Sequence, residues 1–145
     1  MQTNWEYYYN QGIDYSLSGD WEKAASYLVK ALETERHLHY PQAWHNTGAI
    51  LLKAGKGEEA KTYLSRALEE YDYAIRYSEE EKEEYYLFLK ACVLSLLEKK
   101  EAMLSTLQNC LALDNSYAQE AIKQEDFIRY KEDIDFKQLV EGIKK

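Results

Sequence analysis

Proline and glycine are scarce in this 145-residue chain, which contains one proline and six glycines. Both residues are unfavourable inside helices, whereas the strong helix formers Ala, Leu, Glu and Lys are abundant. The composition therefore predicts helix along nearly the whole chain. At this length we expect one domain with a well-formed core rather than two domains.

Basic residues and long apolar runs are also lacking. The chain has 18 Lys and Arg against 26 Asp and Glu, which gives a formal net charge of -8, and the basic residues form no cluster. Nucleic acid and anionic membrane surfaces would on average be repelled, so we expect neither as a partner. Apolar runs such as 49–52 are far shorter than the ~20 residues that cross a bilayer. The first twelve residues lack the basic lead and apolar run of a secretory signal, so we expect a soluble, cytoplasmic protein.

Cysteine and histidine, the residues most used in metal sites, are few. Cys92 and Cys110 lie in helical patterns beside apolar residues, which favours buried thiols over a disulfide or a reactive thiol. His37 and His39 share a turn, and His45 lies on a helix with no second His four residues away. We interpret these positions as a solvated turn and a partly exposed helix face. No convergent set of titratable groups is visible, so the sequence predicts no metal, no cofactor, no catalytic residue and no enzymatic activity.

An internal repeat of 36 residues organises the first half of the chain. Segment 12–32, GIDYSLSGDWEKAASYLVKAL, returns as segment 48–68, GAILLKAGKGEEAKTYLSRAL. A fixed period of this length indicates stacked supersecondary units, because one unit cannot bury its own apolar face. Small residues such as Gly12 and Ala24 predict a close approach of two helices. Gly19 and Asp20 predict a left-handed helix end followed by a helix N-cap.

A third copy is less regular. Leu87, Ala91 and Leu94 lie 43 residues after Trp44, Gly48 and Leu51. The seven extra residues equal about two helical turns, so the apolar faces stay aligned. Met103 and Cys110 stand where the earlier copies have alanines, which leaves the packing angle of this pair open. The patterns predict helices at Asn4–Ser18, Asp20–Glu35, Pro41–Ala54, Glu58–Tyr77, Glu79–Leu97 (capped by Ser78 and Glu81), Lys100–Leu113, Ser116–Lys123 and Asp135–Ile143.

These features resemble the tetratricopeptide repeat (TPR) family, whose first helix carries Trp-x2-Leu-Gly-x2-Tyr and whose second helix carries Ala-x3-Phe-x2-Ala. The matching residues are Tyr8, Gln11, Gly12, Tyr15, Ala24, Leu28 and Ala31 in the first copy and Trp44, Thr47, Gly48, Leu51, Ala60, Leu64 and Ala67 in the second. The tail is similar to the closing segment of many TPR arrays, with Asp126, Phe127, Tyr130, Phe136 and Leu139 at its positions.

The resemblance implies an all-α fold, namely a right-handed solenoid of antiparallel helix pairs with C-terminal capping helices. It covers nearly the whole chain and implies a single TPR domain at 1–145. The repeats would span about 4–38, 41–77 and 79–114. The cap would span 116–143, with an apolar stripe of Phe127, Tyr130, Phe136, Leu139, Val140 and Ile143.

In that family the first helices line a concave groove that binds a peptide or a helix of a partner protein. The resemblance implies a groove lined by Tyr9, Ile13, Ser16, His45, Asn46, Ala49, Leu52, Tyr85, Phe88, Leu89 and Cys92. This aromatic and apolar lining suits a hydrophobic or amphipathic segment. A groove filled by the lengthened helices or the tail, and a binding surface on the convex face or an edge, stay open. The carboxylate clamp of chaperone-binding members is disfavoured, because only Asn46 matches it.

We therefore expect a non-enzymatic protein-protein interaction module, a scaffold whose partner is a protein or peptide. One alternative is a dedicated chaperone or neutraliser of a single partner protein. Another is a structural module that self-associates into a homo-oligomer through exposed Tyr and Leu of the third repeat.

Overall fold

The computed structural model of the chain describes residues 4–78 and 82–142, and these residues form helices and no β-strand. The helices are α1 (Asn4–Leu17), α2 (Trp21–Thr34), α3 (Pro41–Lys53), α4 (Gly57–Tyr77), α5 (Glu83–Leu96), α6 (Lys100–Leu113), α7 (Tyr117–Lys123), a 3-10 helix (Glu125–Tyr130) and α8 (Ile134–Glu141). The prediction of an all-helical chain is confirmed.

The predicted helix bounds agree with these within one or two residues wherever both ends are described. The predicted start of α5 at Glu79, its capping residue Glu81 and the predicted end of α8 at Ile143 lie outside the described residues. Lys82, which the prediction placed inside α5, is its N-cap residue instead, so α5 begins at Glu83 and the prediction that Ser78 caps it is wrong. The sequence did not predict the 3-10 helix. It begins where the Gln124 side chain accepts a hydrogen bond from the backbone N–H of Asp126, at 3.4 Å.

The chain divides into two compact units, which meet in sequence between Glu70 and Tyr71, inside α4. The N-terminal unit holds α1, α2, α3 and most of α4. The C-terminal unit holds the end of α4 and all later helices. The predicted single domain and the solenoid stay predictions, and the two units are described one at a time.

In the N-terminal unit, α1 and α2 form an antiparallel hairpin. Lys30 lies over the ring of Tyr8 at 4.5 Å, and the rings of Tyr15 and Tyr27 stack at 5.4 Å. The later residue of α1 thus contacts the earlier residue of α2, as an antiparallel arrangement requires. Between them, a Cβ added at Gly12 would lie 2.6 Å from the Leu28 Cγ, so the close approach that the small residues predict is present.

The joints of the three helix pairs share one hydrogen-bonding pattern. In the first, Gly19 N–H bonds to the Ser16 carbonyl and Asp20 N–H to the Tyr15 carbonyl. The same two bonds recur at Gly55 and Lys56 and again at Glu98 and Lys99. The residues at the turning position have φ of 81°, 78° and 60°, all left-handed, and the third is a glutamate. Asp20 caps α2 by accepting a hydrogen bond from Lys23 N–H at 3.2 Å, as predicted.

In the C-terminal unit, the tail packs on the α5–α6 pair. Phe127 is fully buried and its ring lies 5.4 Å from that of Phe136, which is also buried. Met103 and Cys110, the bulkier substitutes of the third copy, are both fully buried. Tyr71 is among the largest fully buried side chains, with its ring 6.4 Å from that of Tyr86.

Candidate partner-binding face

Helices α1 and α3 of the N-terminal unit contact each other through residues about one repeat apart. Asn46 Nδ2 donates a hydrogen bond of 2.8 Å to the Tyr9 hydroxyl oxygen. The rings of Trp5 and Tyr40 lie 6.4 Å apart, and Trp5 meets Tyr9 edge-on at 6.0 Å. These contacts join two first helices side by side, which is the arrangement the predicted binding face requires. We call this surface of α1 and α3 the inner face, defined by Tyr9, Ile13, Ser16, Asn46, Ala49 and Leu52.

The inner face is partly open. Tyr9, Ile13, Ser16, Ala49 and Leu52 are half-buried and Asn46 is exposed. Burial raises the pKa of Tyr9, although the hydrogen bond from Asn46 acts in the opposite direction. A half-buried, neutral tyrosine offers a ring for packing and a hydroxyl for hydrogen bonding, a combination typical of binding surfaces.

His45 does not lie on an exposed part of this face. Its side chain is buried, with 6% of its surface accessible, so the interpretation of His45 as partly exposed is wrong. The sequence of α3 does not show which neighbouring elements will cover a given position of this helix. His45 is thus a packing residue in this structure.

The four predicted groove residues of the C-terminal unit differ in exposure. Tyr85 is exposed and Leu89 half-buried. Phe88 and Cys92 are buried, at 5% and 0% accessibility. The Phe88 ring lies 5.1 Å from that of Tyr117 and 5.9 Å from that of Phe127. The tail therefore occupies the surface that Phe88 would offer to a partner. This agrees with the alternative in which the tail fills part of the groove.

Polar contacts hold the tail against α5 and the start of α6. The Ser95 hydroxyl donates to the Asp126 carbonyl at 2.7 Å, and Ser95 is buried. Lys100 Nζ lies 2.7 Å from Asp133 and 3.0 Å from Asp135. The hydrogen bond from Lys100 lowers the pKa of Asp133, the residue that also caps α8. The tail is thus attached by packing, hydrogen bonding and charge together.

A chain of polar contacts that the sequence did not predict joins the turn before α3 to α4. His39 Nδ1 lies 2.9 Å from Glu70 Oε1, and Arg66 Nε donates to Glu70 Oε2 at 2.9 Å. Glu70 is buried. The sequence could have indicated the Arg66–Glu70 pair, because residues four positions apart are neighbours on the surface of a helix. The partner across 31 residues, His39, had no signal in the sequence.

Both thiols are buried, as predicted, and neither forms a disulfide. Burial raises the pKa of Cys92 well above its usual value and that of Cys110 to about 12. Cys110 Sγ also contacts the carbonyl oxygen of Glu84, at 3.2 Å. Such thiols are weak nucleophiles near neutral pH, because the thiolate is the reactive form.

Two further kinds of feature concern the described ranges 4–78 and 82–142, namely metal sites and membrane-spanning helices. No cluster of three or more His, Cys, Asp or Glu there could hold a metal ion. None of the helices in these ranges is long and apolar enough to cross a membrane.

An archaeal protein is similar to part of this chain. The uncharacterized protein MJ0572 of Methanocaldococcus jannaschii is 40% identical to this chain over 63 residues. The matched part covers 43% of this chain and 71% of the archaeal protein. The chain belongs to the same family as MJ0572. Because that relative is itself uncharacterized, the MJ0572 family adds no activity, substrate or partner. No family model matches the chain, and no solved structure matches it.

Proposed function

We propose that the chain is a non-enzymatic, TPR-like protein-interaction module of the cytoplasm that binds a peptide or helix of a partner protein on the inner face of α1 and α3. The observation that carries this proposal is the Asn46–Tyr9 hydrogen bond of 2.8 Å, which joins residues about one repeat apart across two first helices. It supports the pairing on which a TPR groove depends.

The inner face has the chemistry of a peptide-binding surface. Ile13, Ala49 and Leu52 supply half-buried apolar area, and Tyr9 and Asn46 supply polar groups beside it. A partner segment would bury apolar side chains there, while hydrogen bonds fix its register. The proposal is restricted to the N-terminal unit, since the tail covers Phe88 and Cys92 is fully buried.

The absence of catalysis is part of the proposal. Its support is limited to thiol chemistry: Cys92 and Cys110 are both buried, and burial raises the pKa of each.

Site-specific photocrosslinking tests the inner face directly. A photoreactive phenylalanine analogue replaces Ile13 on α1, and a matched protein carries it at Leu17, which is 81% exposed on the same helix. Both proteins are irradiated in lysate of the native host. We expect a crosslinked partner from position 13 that is absent from position 17.

The Ala49→Arg variant provides the control for specificity, because it adds a long charged side chain to the inner face of α3. It should fold, as judged by circular dichroism, and abolish the crosslink at position 13. Crosslinks of equal yield at both positions, or unchanged crosslinking with Ala49→Arg, would place the partner elsewhere and reject the proposal. A single crosslinked partner would favour the dedicated chaperone or neutraliser among binding functions.

Self-association is the second candidate function, favoured by exposed tyrosines of the C-terminal unit. They lie at the end of the second predicted repeat, next to the third repeat in which the sequence predicted this surface. Tyr73 and Tyr77 are 56% and 60% exposed, and their rings lie 4.8 Å apart. Exposed aromatic pairs suit protein interfaces. Light scattering over a range of concentrations should show an increasing mass for the wild type and a constant monomer mass for Tyr73→Glu/Tyr77→Glu. A constant monomer mass for both would exclude self-association.

A further inference from the structure

A cleft of about 450 Å³ opens between α2 and α4 of the N-terminal unit. Its volume falls in the range of about 300–1,000 Å³ that is common for small-ligand sites. The lining includes Leu32, Glu33, Arg36, Trp44, Tyr63 and Arg66. It contains no residue of the inner face, so the cleft is a separate candidate site.

Aromatic rings form one wall of the cleft. The rings of Trp44 and Tyr63 stack at 5.9 Å with an interplanar angle of 27°. Trp44 Nε1 donates a hydrogen bond of 2.9 Å to the Leu38 carbonyl, which fixes the orientation of the indole. Trp44 is buried, whereas Tyr63 is half-buried and remains available to a ligand.

Arg66 is held in place on this wall. Its guanidinium carbon lies 4.3 Å from the centre of a Trp44 ring, and its Nε donates to Glu70. Glu70 is in turn held by His39. The terminal nitrogens of Arg66 donate no hydrogen bond within the part of the chain that the structure describes. An arginine fixed in this way presents a planar fork suited to carboxylate recognition at little entropic cost.

Arg36 supplies a second cation in the lining. Its side chain is exposed and forms no ion pair with any residue in 4–78 or 82–142. Burial raises the pKa of Tyr63; Glu33 and Glu59 raise it further, whereas Arg36 lowers it. Both Arg36 and Glu33 therefore act on the Tyr63 hydroxyl. Two of the chain's four arginines thus line one cleft in a protein of net charge -8.

We propose that this cleft binds a single carboxylate attached to an aromatic group, with the carboxylate between Arg36 and Arg66 and the ring against Tyr63. Glu33 and Glu69 also line the cleft, and together with the negative net charge they disfavour phosphates and other polyanions. A carboxylate beside an aromatic ring can come from two sources. One is a free small molecule that carries both groups, and the other is an acidic residue beside an aromatic residue in a peptide. This site goes beyond the proposed function, since it requires neither the inner face nor a protein partner.

Titration of the full chain with paired probes tests the cleft. The probes are 3-phenylpropionate and its uncharged amide, and the capped dipeptides acetyl-Glu-Phe-amide and acetyl-Gln-Phe-amide. Binding is followed by NMR through the indole N–H of Trp44. For ligands of this size we expect a Kd of about 1 mM for the carboxylates, and weaker binding of each uncharged partner by about tenfold, the loss typical of one charge-assisted hydrogen bond.

The variants Arg36→Gln and Arg66→Gln should each weaken carboxylate binding by about tenfold and leave the weak binding of the amides unchanged. Arg36 is exposed, so its replacement should not impair folding. Arg76→Gln, an exposed arginine outside the cleft, is the matched control and should bind like the wild type. The tighter of the two carboxylate probes identifies the source. Equal binding of carboxylate and amide, no shift of the Trp44 signal, or an equal loss in Arg76→Gln would overturn the proposal.

Discussion

The Leu28 side chain occupies the space in which a Cβ of residue 12 would lie. A Cβ built on Gly12 would be 2.6 Å from the Leu28 Cγ, and the same relationship recurs 36 residues later, where a Cβ on Gly48 would be 2.5 Å from the Leu64 Cγ. In the third pair Ala91 and Leu107 stand at these positions, and both are fully buried. One packing contact thus sets the helix spacing in the first two pairs, and it demands a residue with no side chain.

Gly48→Ala should destabilise the N-terminal unit by about 1–3 kcal/mol, because the added methyl group overpacks the contact with Leu64. Gly57→Ala is the matched control, since a Cβ there would meet nothing within 4 Å. It should leave stability unchanged or increase it slightly. Urea unfolding followed by circular dichroism measures both, and equal midpoints for the two variants would show that α3 and α4 can separate without cost.

Glu98→Gly should stabilise the third helix pair. Glu98 has a left-handed φ of 60°, where the equivalent joints carry Gly19 and Gly55. A left-handed conformation costs a residue with a side chain roughly 1–2 kcal/mol relative to glycine. The ion pair lost with Arg129 is solvent-exposed, with the charged atoms 3.3 Å apart, so its removal costs little. A melting temperature that falls in Glu98→Gly would contradict this reasoning.

Phe88→Ala should destabilise the C-terminal unit by about 3–5 kcal/mol, the usual cost of removing a buried aromatic ring. The reason is the loss of packing against Tyr117 and Phe127. Tyr85→Ala, on the same helix but 37% exposed, should cost much less. Thermal unfolding compares the two variants. Similar small losses in both would mean that the tail does not depend on Phe88 for its attachment.

Asp133→Asn should reduce the loss of stability in acid. The hydrogen bond from Lys100 lowers the pKa of Asp133 in the folded protein. The stabilisation is therefore complete above the unfolded pKa of about 3.9 and is lost as pH falls through the lower folded pKa. Asparagine retains the capping oxygen and removes the charge. The control is Asp14→Asn, at an exposed position on α1. Melting temperatures between about pH 2 and pH 7 should vary less in Asp133→Asn than in this control. Parallel pH curves for the two variants would refute the linkage.

Cys92 and Cys110 should resist alkylation in the folded protein. Both thiols are buried, and burial raises the pKa of each, that of Cys110 to about 12. At about pH 8 the thiolate population is then very small. Mass spectrometry after treatment with iodoacetamide should show no label in buffer and two labels in guanidinium chloride. Rapid labelling of one cysteine in buffer would reveal an opening of the C-terminal unit.

The sequence alone determined the α-helices, and it determined the joints and close contacts of the first two helix pairs. Gly19, Asp20 and Gly12 act through neighbours within one repeat, so their residue types suffice to predict a left-handed turn, a cap and a tight helix pair. The tertiary structure decided which residues are covered. His45 is buried, the tail covers Phe88, and His39 meets Glu70, because these outcomes depend on elements distant in sequence. Exposure of a helical position is set by what packs against it, and a periodic pattern within the helix does not contain that information.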